Sequence, residues 1–212
     1  MKEIFFQGGP VMWPLLIVSI LALATVIERI VFIVREVALR DPRAVAQIFA
    51  EAEQGRFDKA QAAGARSRDF VARVLTHALE HRDISYTNAL LNAANLELQR
   101  FNRGISVLDT IVTLAPLLGL FGTVTGMIRA FNLIGGSELG APAAITGGIS
   151  QALIATAFGL VIAIVALLPF NFLNARLEQA RQEIENAAAR LEMLLLRAEK
   201  AQAQLADGIP LP

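Results

Sequence analysis

The sequence predicts an all-α membrane protein with three transmembrane helices, N-out and C-in, and extended cytoplasmic helices. Three observations lead there. First, 55% of the 212 residues are hydrophobic and mean hydropathy is +0.52, above the usual level for a soluble domain of this length. Second, three uncharged runs are long enough to cross a bilayer. The shortest is the 19 residues between Asp109 and Arg129. At about 1.5 Å per helical residue it reaches about 28 Å, close to the thickness of the hydrocarbon core. Third, the basic residues are unevenly placed: 11 of the 19 Lys and Arg lie from Arg35 to Arg103 and 5 follow Phe172, whereas only Lys2 and Arg129 fall on the other side. The positive-inside rule puts the loop and the tail in the cytoplasm. A formal net charge of zero gives no global field to attract nucleic acid, and none is expected as a partner. With no cysteine, a disulfide framework and any Cys-ligated metal are excluded, and neither a cofactor nor a metal is expected.

Residues 1–10 form an external N-terminal segment ending in a Gly/Pro lead-in. Pro10 and Pro14 suit the first turn of a helix, and Trp13 suits a membrane interface. The first span is expected at 11–34. Ala22-Leu23-Ala24 resembles a signal-peptide cleavage site. However, Glu3 cancels the single Lys of the leader, and apolar residues continue past the cut to Val34, so a retained span is favoured.

From 35 to 103 the chain turns charged, Ala-rich and helical, and reads as a cytoplasmic insert. Asp41-Pro42 is a start signal, Gly55 and Gly64 interrupt, and Ala44 to Arg66 suggests a helical hairpin. Phe70, Val74, Leu75, Leu79, Leu90, Leu91 and Leu98 are apolar at helical spacing, with a break expected at Asp83 to Ser85.

The second span is expected at 104–132. At 100° per residue, Asp109, Thr113, Pro116, Gly119, Thr123 and Gly126 share one side, while Thr125 points elsewhere. Gly122 and Gly126 have the GxxxG spacing that lets helix backbones approach in lipid. A Gly-rich external turn, 133–144, leads to the third span at 145–172. Its face of Gly148, Ala152, Ala155, Thr156, Gly159, Ala163 and Ala166 is again small. The tail, 173–212, alternates Glu and Arg and places Leu177, Ile184, Leu191, Ala198 and Leu205 seven apart, a coiled-coil-like seam that implies self-association.

The strings TLAPLLGLFGTVTGMIRAF and ISQALIATAFGLVIAIVAL resemble the two pore-helix signatures of the MotA/TolQ/ExbB proton channel family. The three-span, N-out plan is similar to its ExbB/TolQ branch and fits the four-span MotA branch less well. The resemblance implies a multi-pass protein of the bacterial cell inner membrane that forms a homopentameric ring. The second and third helices of the ring would line a pore around an ExbD/TolR-like single-span partner carrying an intramembrane Asp. A TonB-like or TolA-like envelope protein would be the load, and the proton motive force would drive it. Which of the two loads applies stays open. Under the resemblance, Thr123 and Thr156 match pore-lining threonines of the proton pathway. Pro116, Gly119, Gly122, Gly126 and Gly159 shape the pore helices. Gln151 stands where such proteins often carry a glutamate, so a proton role is not carried to it, although glutamine can hydrogen-bond a partner or water.

The residues support part of this independently. No ionisable side chain lies in the middle of any span, and threonine does not titrate near neutral pH, so a proton carrier has to come from another chain or from ordered water. Each threonine also has a plainer reading, a hydroxyl bonded back to its own helix. Asp109 is either a cytoplasmic proton exit or partner contact, or a solvated charge at a helix end, the more ordinary case. His77-Ala78-Leu79-Glu80-His81 fits the H-x-x-E-H pattern of inverted zinc peptidases. Five-residue matches arise by chance, so the expectation is a solvated surface where Arg73, Glu80, His81 and Arg82 meet water or a neighbouring protomer. Three function classes follow: a proton-channel subunit, a structural membrane scaffold without flux, and a distant third, the peptidase. No enzyme activity is expected.

Overall fold

A computed structural model describes residues 2–134 and 142–206, and every regular element among them is a helix. In chain order these are α1 (Lys2–Gln7), α2 (Met12–Ala38), α3 (Pro42–Glu53), α4 (Phe57–Ala65), α5 (Phe70–Glu80), α6 (Arg82–Asn102), α7 (Ile105–Ile134) and α8 (Pro142–Ala206). Helices α2, α7 and α8 are long and apolar enough to cross a membrane. Residues 135–141, most of the expected Gly-rich turn, lie outside the described residues.

The chain divides into two compact units, one made of the chain up to Ile30 with Gly104–Asn174, the other of Val31–Arg103 with the chain from Ala175 on. In the first unit, Val18 and Ala22 of α2, Ile111 and Ala115 of α7, and Ala163 and Ala166 of α8 form one core. A second cluster joins Val11, Met12 and Leu15 to Phe5, Leu118, Ile154 and Ile162. Outside these stripes the helices expose Ile, Leu, Val and Phe, as suits a lipid-facing surface. Gly104, at φ +79°, makes the turn into α7 beside the stem of Arg29, whose side chain is 3% exposed and paired with Glu28.

In the second unit α3 and α4 form a hairpin. Asp41 caps α3 by accepting from Ala44 N at 3.1 Å, Pro42 fills the first turn, and Gly55 turns the corner at φ +70°. Ile48, Phe70, Val74, Leu75, Leu79, Ile184 and Leu191 belong to its core. Leu91 departs from the expected apolar face and is exposed, whereas Leu90 and Leu98 pack inward. The reason is helical spacing: Leu90, Ala94 and Leu98 share one face of α6, and Leu91 lies about 100° round from Leu90. The break expected at Asp83 to Ser85 is present, with Ser85 extended at φ −168°.

Two expectations about surfaces change here. Ile184 and Leu191 of the seven-residue seam are filled by the unit's own core, so that spacing by itself does not call for a second copy. Arg73 and Arg82 are likewise engaged within the chain. Arg73 bonds Glu36 at 2.8 Å and Glu97 at 2.7 and 3.0 Å, and Arg82 bonds Asp58 at 2.9 Å. Partial burial works to lower the Arg73 pKa, but the two carboxylates outweigh it and hold it above the ordinary guanidinium value. Asp69, fully buried, accepts from Val71 N and Asp41 N, both at 2.8 Å, and from Arg40 at 3.0 Å. It caps α5 and ties the start of α3 to it.

Candidate functional site

Helices α7 and α8 meet along a seam of glycine and alanine in which backbone touches backbone. A Cβ added at Gly159 would lie 2.5 Å from the Ala115 carbonyl oxygen and 3.0 Å from the Gly119 Cα. One at Gly126 would lie 2.9 Å from the Gly148 carbonyl oxygen, and one at Gly122 would lie 2.4 Å from the Ala155 Cβ. In an apolar solvent such proximity is what holds helices together, through many small dispersion contacts rather than exclusion of water.

The seam divides the side of α7 that the sequence treats as one. Ala115, Gly119, Gly122, Gly126 and Ala130 fall in a single arc and are buried. Asp109, Thr113, Pro116 and Thr123 occupy the adjoining arc, where Asp109 and Thr113 are exposed and Pro116 and Thr123 half-buried. The arcs separate because glycine and alanine are the residues a close neighbour admits, while the larger polar side chains are left beside it. Ala115 and Ala130, not singled out from the sequence, complete the seam; the small-residue spacing from 115 to 130 was the signal.

The threonines differ in what they bond. Thr123 Oγ1 donates to the Leu120 carbonyl at 2.6 Å, within its own helix, and Thr125 does the same to Gly122 at 3.1 Å. Thr156 Oγ1 instead crosses the seam and donates to the Gly119 carbonyl at 3.1 Å. That bond joins α8 to α7 four residues before Thr123. Gln151 is half-buried against the turn before α2, where a Cβ on Gly9 would come within 2.0 Å of its Nε2. Gly9 has φ +75°, so the turn needs glycine for conformation as well as for space.

A family model described as the MotA/TolQ/ExbB proton channel family matches residues 64–186. The chain belongs to the MotA/TolQ/ExbB proton channel family. The match runs through α7, the seam and the start of the tail, so both candidate threonines lie within the matched stretch. Among relatives of the ExbB/TolQ-like branch, an ExbB-like 1 biopolymer transport protein of Synechocystis sp. is 38% identical over 90% of this chain and 77% of its own. The biopolymer transport protein ExbB of Neisseria gonorrhoeae is 42% identical over 47% of this chain and 45% of its own. The Tol-Pal system protein TolQ of Haemophilus influenzae is 36% identical over 44% and 41%. A channel and transport family, rather than an enzymatic one, is where this chain stands.

Proposed function

We propose that this chain is the ring-forming subunit of a proton-driven motor in the bacterial inner membrane, ExbB/TolQ-like, and that it couples the proton motive force to work on an envelope partner. The observation that carries the proposal is the pair of hydroxyls, Thr123 and Thr156, half-exposed on adjoining apolar spans that have no ionisable group at their middle. Each hydroxyl donates its one proton to a backbone carbonyl here, so its oxygen can accept from a water or a protonated carboxyl, and it donates to a carboxylate only by rotating off that carbonyl; it cannot carry a proton itself. Five copies, N-out and C-in, would enclose ExbD/TolR-like spans whose Asp relays the proton. A TonB-like or TolA-like protein would take up the motion. Asp109, exposed near the start of α7, acts in this scheme as a solvated helix-end charge, and Gln151 packs the ring's outer end.

The test is proton uptake in vesicles carrying the chain with its single-span partner, with native mass spectrometry to follow assembly. The double variant Thr123→Val, Thr156→Val keeps nearly the same shape and removes both hydroxyls. Uptake should fall severalfold or more, since a hydrogen bond to a charged group contributes about 1.5 to 3 kcal/mol, while the assembly persists. Thr125→Val should leave uptake near normal. Full uptake in the double variant would reject the pathway, and absence of flux in the unaltered complex would favour the scaffold.

A further inference from the structure

The channel reading leaves one chemically competent cluster unused, at the corner between α5 and α6. His77, in the last turn of α5, and His81, the residue that caps its end, have ring centroids 4.5 Å apart, and Glu80 stands beside them. One ligand atom from each of the three lies within 4.8 Å of the others. We propose that His77, Glu80 and His81 bind a first-row divalent transition ion, with Zn2+ as the representative case, and that the ion is structural.

The donor set favours that class. Two imidazoles and one carboxylate suit Zn2+, Co2+, Ni2+ and Cu2+, whereas Ca2+ and Mg2+ take oxygen ligands. The His81 Nδ1 faces the His77 carbonyl oxygen at 3.0 Å. A proton on Nδ1 donated to that carbonyl leaves the lone pair on Nε2, and ligating histidines are commonly oriented by such a backbone carbonyl. Bond lengths of about 2.0 to 2.2 Å require the ligand atoms to draw together by roughly an ångström. Glu80 is exposed and both histidines are only half-buried, so side-chain rotation suffices. Arg82, next in sequence to His81, bonds Asp58 and lies over the Phe57 ring.

The position explains why an ion would be useful. His81 caps the end of α5 and precedes α6, and its side chain makes no capping bond to the start of α6. An ion held by the last turn of α5 and by His81 would fix this corner. A peptidase would need Glu80 free as a base, and here it is the third ligand.

The experiment uses the untagged full-length chain in detergent, stripped with a chelator and titrated with Zn2+ against a chromophoric competitor. One Zn2+ per chain is expected. His77→Ala, His81→Ala and Glu80→Gln should each weaken binding at least about tenfold, the loss that even outer-shell changes at metal sites commonly cause. The exposed Glu185→Gln should bind as the unaltered chain does, and circular dichroism should show unchanged helix content in all variants. Substituted Co2+ should give visible absorption that the His77→Ala, His81→Ala double variant lacks. No Zn2+ uptake by the unaltered chain, or uptake that survives the double variant, would overturn the site.

Discussion

A hydroxyl in an apolar helix has to find an acceptor, and the acceptor it finds determines what its removal costs. Thr156 bonds a second helix, so Thr156→Val should loosen the α7–α8 pair by about 0.6 kcal/mol, the mean for interhelical bonds in lipid. Thr123→Val, which removes only a bond within α7, should cost less, and unfolding in mixed micelles would rank them. Among soluble-type residues, Tyr86 is pushed above its ordinary phenol value by burial and by the charge of Glu192, and its hydroxyl donates to the Ala188 carbonyl at 3.2 Å. The unfolded chain therefore releases this proton first, and stability present below about pH 10 is lost as pH rises beyond it. Tyr86→Phe should lose about 0.5 to 1.5 kcal/mol at neutral pH and flatten that alkaline decline in denaturant titrations. Asp69→Ala removes a helix cap and a second backbone acceptor together, and should cost the unit about 2 kcal/mol.

At the scale of helices, the seam ranks its glycines. Gly159→Leu should disrupt the α7–α8 pair most, because its new side chain meets carbonyl and Cα atoms that cannot rotate away. Gly122→Leu meets the Ala155 Cβ and should follow, while Gly147→Ala, with nothing within 4 Å, should be neutral. Native mass spectrometry and thermal stability of the purified chain would order the three. The spacing of small residues made the closeness of α7 and α8 legible in sequence. It did not separate the glycine arc from the Thr123 arc, because residues about 80° apart on a helix overlap in any count of a polar side. The tail's heptad spacing reads identically whether it faces a second copy or the same chain, and only tertiary packing distinguishes them. The end of the first span was harder to read: nothing obliges a helix to stop at a membrane surface, and α2 runs through Arg35 and Glu36 to Ala38, whereas the helical tail expected after the third span is the continuation of α8.

For the molecule as a whole, apolar length and basic asymmetry were enough to foretell three spanning-length helices and a charged helical insert. The long-range ion pairs, Arg73 with Glu36 among them, were not legible, since partners 37 residues apart leave no local pattern. Orientation has a direct test, helped by the absence of native cysteine. With Cys placed at Ser137 or at Gln204, an impermeant thiol reagent on intact cells should modify only the first. Labelling of the second alone would reverse the topology.

The backbone contact between α7 and α8 also shapes which genetic changes the chain tolerates. A buried leucine has chemical neighbours of similar size, and cores accept many such exchanges. Glycine has none smaller, so every single-nucleotide change that alters Gly119, Gly126 or Gly159 adds atoms where a backbone already lies within about 3.1 Å of the missing Cβ. In a saturation library selected for growth dependent on the complex, these three codons should come back nearly invariant, in contrast to the lipid-facing leucines a few ångströms away.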